Sequence, residues 1–216
     1  MSIERSLVLC KPDAVLIRQA GINIVEKILS VVQNCKLLCF EHHIVTEELA
    51  SQHYEEHIGK SFFPSLLRFI TNPLGVIVMV FEGVDAVKTI RGAIGPTMVE
   101  KAVAVDCLRG TFGHVAGINC FHASDAPETG LRESKLWTEY YKVDVTEEVA
   151  MKHFQEYKEK YDGKYTTDMK PVREVVQKLL ELEDQYVKLM RGMTDCDDAL
   201  IKGLLSIIIQ DHDVKN

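Results

Sequence analysis

The stretch Leu74-Gly75-Val76-Ile77-Val78-Met79-Val80-Phe81 is the longest apolar run in the chain. It falls well short of the ~18–20 apolar residues needed to span a bilayer. Apolar, rich in β-branched residues and preceded by the turn pair Asn72-Pro73, it reads as a buried strand. Helical patterns flank it. Phe62 to Thr71 forms a short helix that Asn72-Pro73 stops, because the residue before a proline is steered away from helical backbone. Asp85 to Ile94 forms another.

Working outward, Ser6 to Cys10 is a short strand that Lys11-Pro12-Asp13 ends. Gly21 to Gln33 places Ile22, Ile24, Val25, Ile28, Leu29 and Val32 at helical spacing. Lys36 to Val45 reads as a strand. Thr46, followed by Glu47 and Glu48, is an N-cap with an acidic first turn and opens a helix through His57. Gly95 to Val115 shows no clear period and reads mostly as loop. Gly117 to Phe121 is a last short strand, followed by a helix from Asp125 to Trp137 that Ser124 or Asp125 can cap. Four strands with helices between them predict a ferredoxin-like βαββαβ α/β sandwich (an α+β fold), with helices covering one face of an antiparallel sheet.

Residues 141–216 change character and contain no convincing strand, which divides the chain into a domain of residues 1–140 and a helical C-terminal extension. Asp144 and Glu147 have the spacing of a capping box. The helix they open lines Ala150, Phe154, Tyr157 and Tyr161 along one face and breaks at Asp162-Gly163. Pro171 suits a first helical turn. Beyond it Val172, Leu179, Tyr186 and Met193 fall at heptad spacing, with Val175, Leu182 and Leu189 three residues after the first three. A last helix from Asp197 to Gln210 is too apolar to stand alone. The expectation is that it folds back on its own subunit or crosses to a neighbour, burying Leu204 to Ile209.

Composition narrows the function. In 216 residues, 46% hydrophobic and 26% charged residues supply a core and exclude disorder. The six cysteines include no CxxC pair, against a zinc site or a disulfide framework and in favour of a reducing, cytoplasmic setting. Lys11 and Pro12 arrive before a signal-peptide core could form, and no membrane segment is expected. The balance of 32 acidic against 25 basic residues argues against nucleic acid as a partner. A phosphate-handling protein of this composition has to gather its positive charge locally.

Two strings carry candidate chemistry. One is Lys11-Pro12-Asp13; the other is Asn119-Cys120-Phe121-His122-Ala123-Ser124-Asp125. Between them, in order, come His53-Tyr54, Phe62-Phe63, Val87-Lys88-Thr89 with Arg91, Gly95-Pro96-Thr97 and Leu108-Arg109-Gly110. Singly each is bland: a lone histidine at a strand end or a lone lysine is usually structural or solvated. Together, over residues 4–138, they resemble the nucleoside diphosphate kinase family.

The resemblance implies transfer of a γ-phosphoryl group from ATP or another nucleoside triphosphate to a nucleoside diphosphate, by a ping-pong route through phosphohistidine at His122. It implies that Lys11, Arg91 and Arg109 meet the phosphates, with the hydroxyl of Thr97, and that Asn119 and Lys11 read the ribose. Phe62 would stack on the base, with Leu66 and Ala116 completing a slot open to any base. Tyr54 and Glu133 would stand beside His122, Glu133 fixing one tautomer and Ser124 supporting from behind. Mg²⁺ would arrive on the nucleotide phosphates without a protein cage. A homo-oligomer is expected.

Plainer readings stand beside these. Phe62 and Leu66 at i, i+4 suit core packing, and Glu133 suits an ordinary helix carboxylate. A metal reading of His114 with His122 lacks ligands to complete it. Ala123 and Ala126 replace the family's usual glycine and serine, so the backbone at Ala123 must be one open to ordinary residues. Met98 to Leu108 is more apolar than usual and suited to helix, which puts the family's oligomer geometry in doubt. The alternative function is a non-enzymatic nucleotide-binding or assembly protein that uses its helical extension.

Overall fold

The computed structural model describes residues 2–213. Four strands, β1 (Ile3–Cys10), β2 (Gln33–His43), β3 (Val76–Val84) and β4 (Phe121–Ala123), form one sheet in the order β2-β3-β1-β4, and every pairing is antiparallel. Between them run α1 (Pro12–Leu16), α2 (Arg18–Val31), α3 (Glu47–His53), α4 (Phe63–Ile70), α5 (Ala86–Ile94), α6 (Val99–Ala102) and α7 (Leu108–Phe112). After the sheet come α8 (Pro127–Tyr141), α9 (Glu147–Tyr161), α10 (Lys170–Arg191) and α11 (Asp198–Asp213). The ferredoxin-like sandwich with added C-terminal helices is therefore the observed fold.

One feature differs from the expected layering: helices cover both faces of the sheet. Side chains alternate along a strand, so Val8, Cys10, Ile77, Met79 and Phe81 enter one core with α2 and α5. Leu7, Leu9, Val76, Val78 and Val80 enter a second core with Trp137 of α8 and Leu49 of α3. This is why β3 carries an unbroken apolar run rather than an alternating one.

The last strand lies later than the spacing predicts. Val115 and Ile118 pair as an isolated bridge, and Ala116 and Cys120 both take left-handed backbone, with φ of 45° and 67°. Those two residues prevent an extended run from Gly117. The strand forms only at Phe121, which puts His122 within β4, opposite Leu9 of β1. The region from Gly95 to Val115 is also more ordered than a loop, since it contains α6 and α7.

The caps show where local chemistry acts. Thr46 accepts from Leu49 N at 3.2 Å, as its position predicts. Neither Ser124 nor Asp125 caps α8: Ala126 holds that position without a side-chain bond, and Pro127 starts the helix. Thr146 rather than Asp144 caps α9, accepting from Val149 N.

The chain forms two compact units, one through Met169 and one from Lys170 onward. The first takes in α9, which composition groups with the extension. Ala150 and Phe154 of α9 are buried in the first core, and the Phe154 ring meets Phe40 edge-on at 5.5 Å. In the second unit α10 and α11 contact each other, with Lys202 held by Glu183 at 3.1 Å and Arg191 by Asp198 at 2.8 Å. Leu204 and Ile207 to Ile209 are not buried; each is about half exposed or more. No helix among the described residues is long and apolar enough to cross a membrane.

Candidate active site

β4 brings His122 to the rim of the sheet, and α8 brings Glu133 to it. His122 Nε2 lies 3.0 Å from Glu133 Oε2, and Ser124 Oγ donates to the same oxygen at 2.6 Å. Ser124 is fully buried and accepts in turn from Leu7 N at 3.0 Å, which ties the carboxylate to β1. Burial pushes the Glu133 carboxyl up, but the hydrogen bond and charge of His122, with smaller help from His53 and Ser124, more than offset it and leave the group below its ordinary value. Glu133 is thus an ionised acceptor. It holds a proton of the imidazole on Nε2, so in the neutral ring the lone pair lies on Nδ1.

His53 stands against this pair, its ring 4.6 Å from that of His122 and perpendicular to it. Its side chain is fully buried, and Trp137 Nε1 donates to its Nδ1 at 3.1 Å. Burial, followed by the neighbouring His122, lowers its pKa to about 3, so it is a neutral wall. Tyr54 faces His122 edge-on at 6.3 Å and stacks on His57, which meets the half-exposed ring of Phe62 at 5.4 Å. His122, Tyr54, Arg91, Asp125 and Glu133 line one cavity of about 230 Å³.

A second group is tied to the first through the backbone before β4. Lys11 Nζ donates to Asn119 Oδ1, and Asn119 Nδ2 donates to the carbonyl of Thr97 at 2.9 Å. Arg109 donates to the carbonyls of Asn119 and Phe121, and Arg91 Nη1 to that of Ala123 at 3.0 Å. The three cations therefore all attach to residues 119–123, the segment that contains His122. Burial lowers Lys11 to about 8, Asp13 partly opposing this and Arg109 adding to it. Burial lowers Arg109 too. Both are desolvated cations, which bind an anion more strongly than exposed ones.

The remaining predicted positions are spread around this centre. Leu66 packs against the second core, so core packing describes it well, whereas Phe62 stays at the surface. Ala116 is exposed, and its N donates to Glu100 Oε1 at 3.1 Å. Ala123 is extended strand, a conformation open to any residue, so the missing glycine leaves no strain there. His114 lies beside Asp13, at 3.8 Å, and forms a cluster with it and Cys120 rather than with His122.

Sequence reasoning missed several residues of the site. Asp13 Oδ2 accepts from Cys120 N at 2.8 Å and so holds the left-handed residue that introduces β4. Its place in Lys11-Pro12-Asp13 was the available signal. His53 was legible only as the neighbour of Tyr54, and Trp137 carried no signal.

An antiparallel α/β sandwich with a carboxylate-held imidazole at its rim, beside three cations on one segment, defines a class of protein suited to nucleophilic group transfer on anionic substrates. Residues 4–143 match the sequence model of the family described as "Nucleoside diphosphate kinase". A nucleoside diphosphate kinase of Mycobacterium marinum is 44% identical over 137 residues, covering 62% of this chain and 96% of that protein. One of Clostridium perfringens is 41% identical over 140 residues, covering 63% and 92%. Among solved structures, the Aquifex aeolicus nucleoside diphosphate kinase aligns with a TM-score of 0.58 at 32% identity, covering 63% of this chain and 95% of that one. The Halobacterium salinarum enzyme in complex with CDP aligns at 0.57 and 35% identity, covering 63% and 88%. The chain belongs to the nucleoside diphosphate kinase family.

Proposed function

We propose that the chain is a nucleoside diphosphate kinase that works through a phosphohistidine at His122. The observation that carries this reading is the 3.0 Å contact of His122 Nε2 with the ionised Glu133, which leaves the Nδ1 lone pair for chemistry.

In the first half-reaction the Nδ1 lone pair attacks the γ-phosphorus of a nucleoside triphosphate. A P–N bond forms, the bond from γ-phosphorus to its bridging oxygen breaks, and the nucleoside diphosphate leaves with that electron pair. In the second, a terminal oxygen of another nucleoside diphosphate attacks the same phosphorus, and the P–N electrons return to Nδ1. The proton stays on Nε2, donated to Glu133 throughout, so no proton has to move. Lys11, Arg91 and Arg109 neutralise charge on the transferring group, which is most of what phosphoryl transfer asks of a protein.

Asn119, fixed by Lys11 and Thr97, serves the ribose, and the half-exposed ring of Phe62 offers its face to any base. ATP and other nucleoside tri- and diphosphates are the partners this site fits. The donor set also fits Mg²⁺. Asp125 lines the cavity with His122 and would offer one carboxylate to an ion held mainly by phosphate oxygens and water. Bound there, it would neutralise phosphate charge.

The test is to incubate the protein with γ-labelled ATP, remove free nucleotide and follow the label. Acid-labile, base-stable label that passes to added GDP is expected, with none taken up by His122→Gln. Label retained by that variant, or none on the native protein, overturns the reading.

A further inference from the structure

The second unit has an apolar face that its two helices do not cover. On α10, Val172, Val175, Leu179, Leu182, Tyr186 and Leu189 alternate at spacings of three and four, the seam of a coiled coil. Helix α11 lies off this seam, where Glu183 holds Lys202. Leu182 and Leu189 remain 59% and 68% exposed. Four seam residues, Leu179, Leu182, Tyr186 and Leu189, line a groove of about 810 Å³ with Leu205 and Ile209 of α11.

We propose that this groove is an interface between two copies of the chain, hairpin against hairpin, with α10 antiparallel to α10 of its partner. Three observations select a second copy as the occupant. First, the seam is complementary to itself. Turned about the midpoint of Lys170–Arg191, it sets Val172 against Leu189, Val175 against Tyr186 and Leu179 against Leu182, so every seam residue meets another. A two-fold interface requires this reciprocity.

Second, charge favours the antiparallel sense. The first half of α10 carries Lys170, Arg173 and Lys178 against Glu174. The second half carries Glu181, Glu183 and Asp184 against Lys188 and Arg191. Inverting one helix lays the basic half over the acidic half. Within the second half, Glu183 and Arg191 are paired inside the hairpin, and Glu181 and Asp184 still outnumber Lys188.

Third, the exposed apolar surface is large. Val175, Leu179, Leu182 and Leu189 of α10 and Leu204, Ile207 and Ile209 of α11 are each about half exposed or more, more than a hairpin that stands alone in water would leave uncovered.

The test uses the full chain. Light scattering should give half the native mass for Leu182→Glu/Leu189→Glu, with an unchanged far-ultraviolet circular dichroism spectrum showing that the fold is intact. In a Cys196→Ser background, which removes the exposed thiol, Val175→Cys and Tyr186→Cys chains should form an oxidised cross-link when co-expressed and not when either is alone. An unchanged mass for the folded double variant overturns the interface. Cross-linking of either cysteine chain alone overturns the antiparallel register. Both readouts are independent of phosphoryl transfer.

Discussion

His122 and Ser124, two residues apart on β4 and just beyond it, both direct a proton at one oxygen, Glu133 Oε2, at 3.0 and 2.6 Å. One carboxylate therefore sets the tautomer of the imidazole and is itself anchored to β1 through Ser124 and Leu7 N. Glu133→Ala removes the acceptor and frees the ring to turn, so kcat should fall roughly 10–100-fold, the usual cost of losing an orienting partner. KM should change little, because Glu133 touches no cation of the nucleotide site. Glu133→Gln, whose amide oxygen still accepts, should lose less. Steady-state kinetics on the three proteins check this, and an effect confined to KM would contradict it.

Lys11 gives the site an alkaline limit. Its folded pKa is near 8 against 10.5 for an ordinary lysine, because it is buried. It is a cation below about pH 8 and loses its charge as pH rises through that value. The pH profile of kcat/KM reports groups of the free enzyme, so it should fall above pH 8, approaching tenfold per unit. Lys11→Arg cannot deprotonate in this range and should abolish that limb, whatever activity it retains. A native limb near pH 10.5 would show that Lys11 is not the group responsible.

His53 should make the fold acid-sensitive. Its pKa is about 3 folded and 6.5 for a free side chain, with burial the main cause. Between those values the unfolded chain binds a proton that the folded one does not, so this stability is complete above pH 6.5 and is lost as pH falls. The loss should reach roughly 2 kcal/mol by pH 5. His53→Gln keeps an acceptor for Trp137 Nε1 and does not titrate. Urea midpoints at pH 7 and pH 5 should converge in that variant relative to the native protein.

The limits of the sequence reading have physical causes. The strands were legible because a sheet covered on both faces writes continuous apolar runs, as in Val76 to Phe81. The start of β4 was not, because left-handed backbone at Cys120 leaves no mark in residue type; asparagine or glycine would have signalled it. His122 and Lys11 were identified through ordered motifs, and Glu133 only through the family resemblance those motifs carry, not through any local property. Trp137 and Asp13 act by contacts that span the chain, Trp137 to His53 and Asp13 to Cys120, and no window of sequence contains both partners. The exposed seam of α10 was visible as a heptad, but only the structure shows that α11 leaves it uncovered.

Gly130 fixes where α8 sits, and hence where Glu133 sits. A Cβ there would fall well inside van der Waals contact of the Arg5 carbonyl oxygen, a backbone atom that cannot turn aside. Gly130→Ala therefore forces α8 away from β1, at a cost of about 1–3 kcal/mol. Glu133 lies one turn further along the same helix, so its 3.0 Å contact with His122 should lengthen and kcat should fall along with stability. Gly92 in α5 is the control: a Cβ there meets nothing within 4 Å. Gly92→Ala should stabilise the protein by about 0.5–1 kcal/mol, the ordinary gain from removing a helix glycine. Denaturation midpoints and kcat measured on both variants separate the two cases. Equal effects from the two alanines would mean that helix propensity, rather than the approach of α8 to β1, governs position 130.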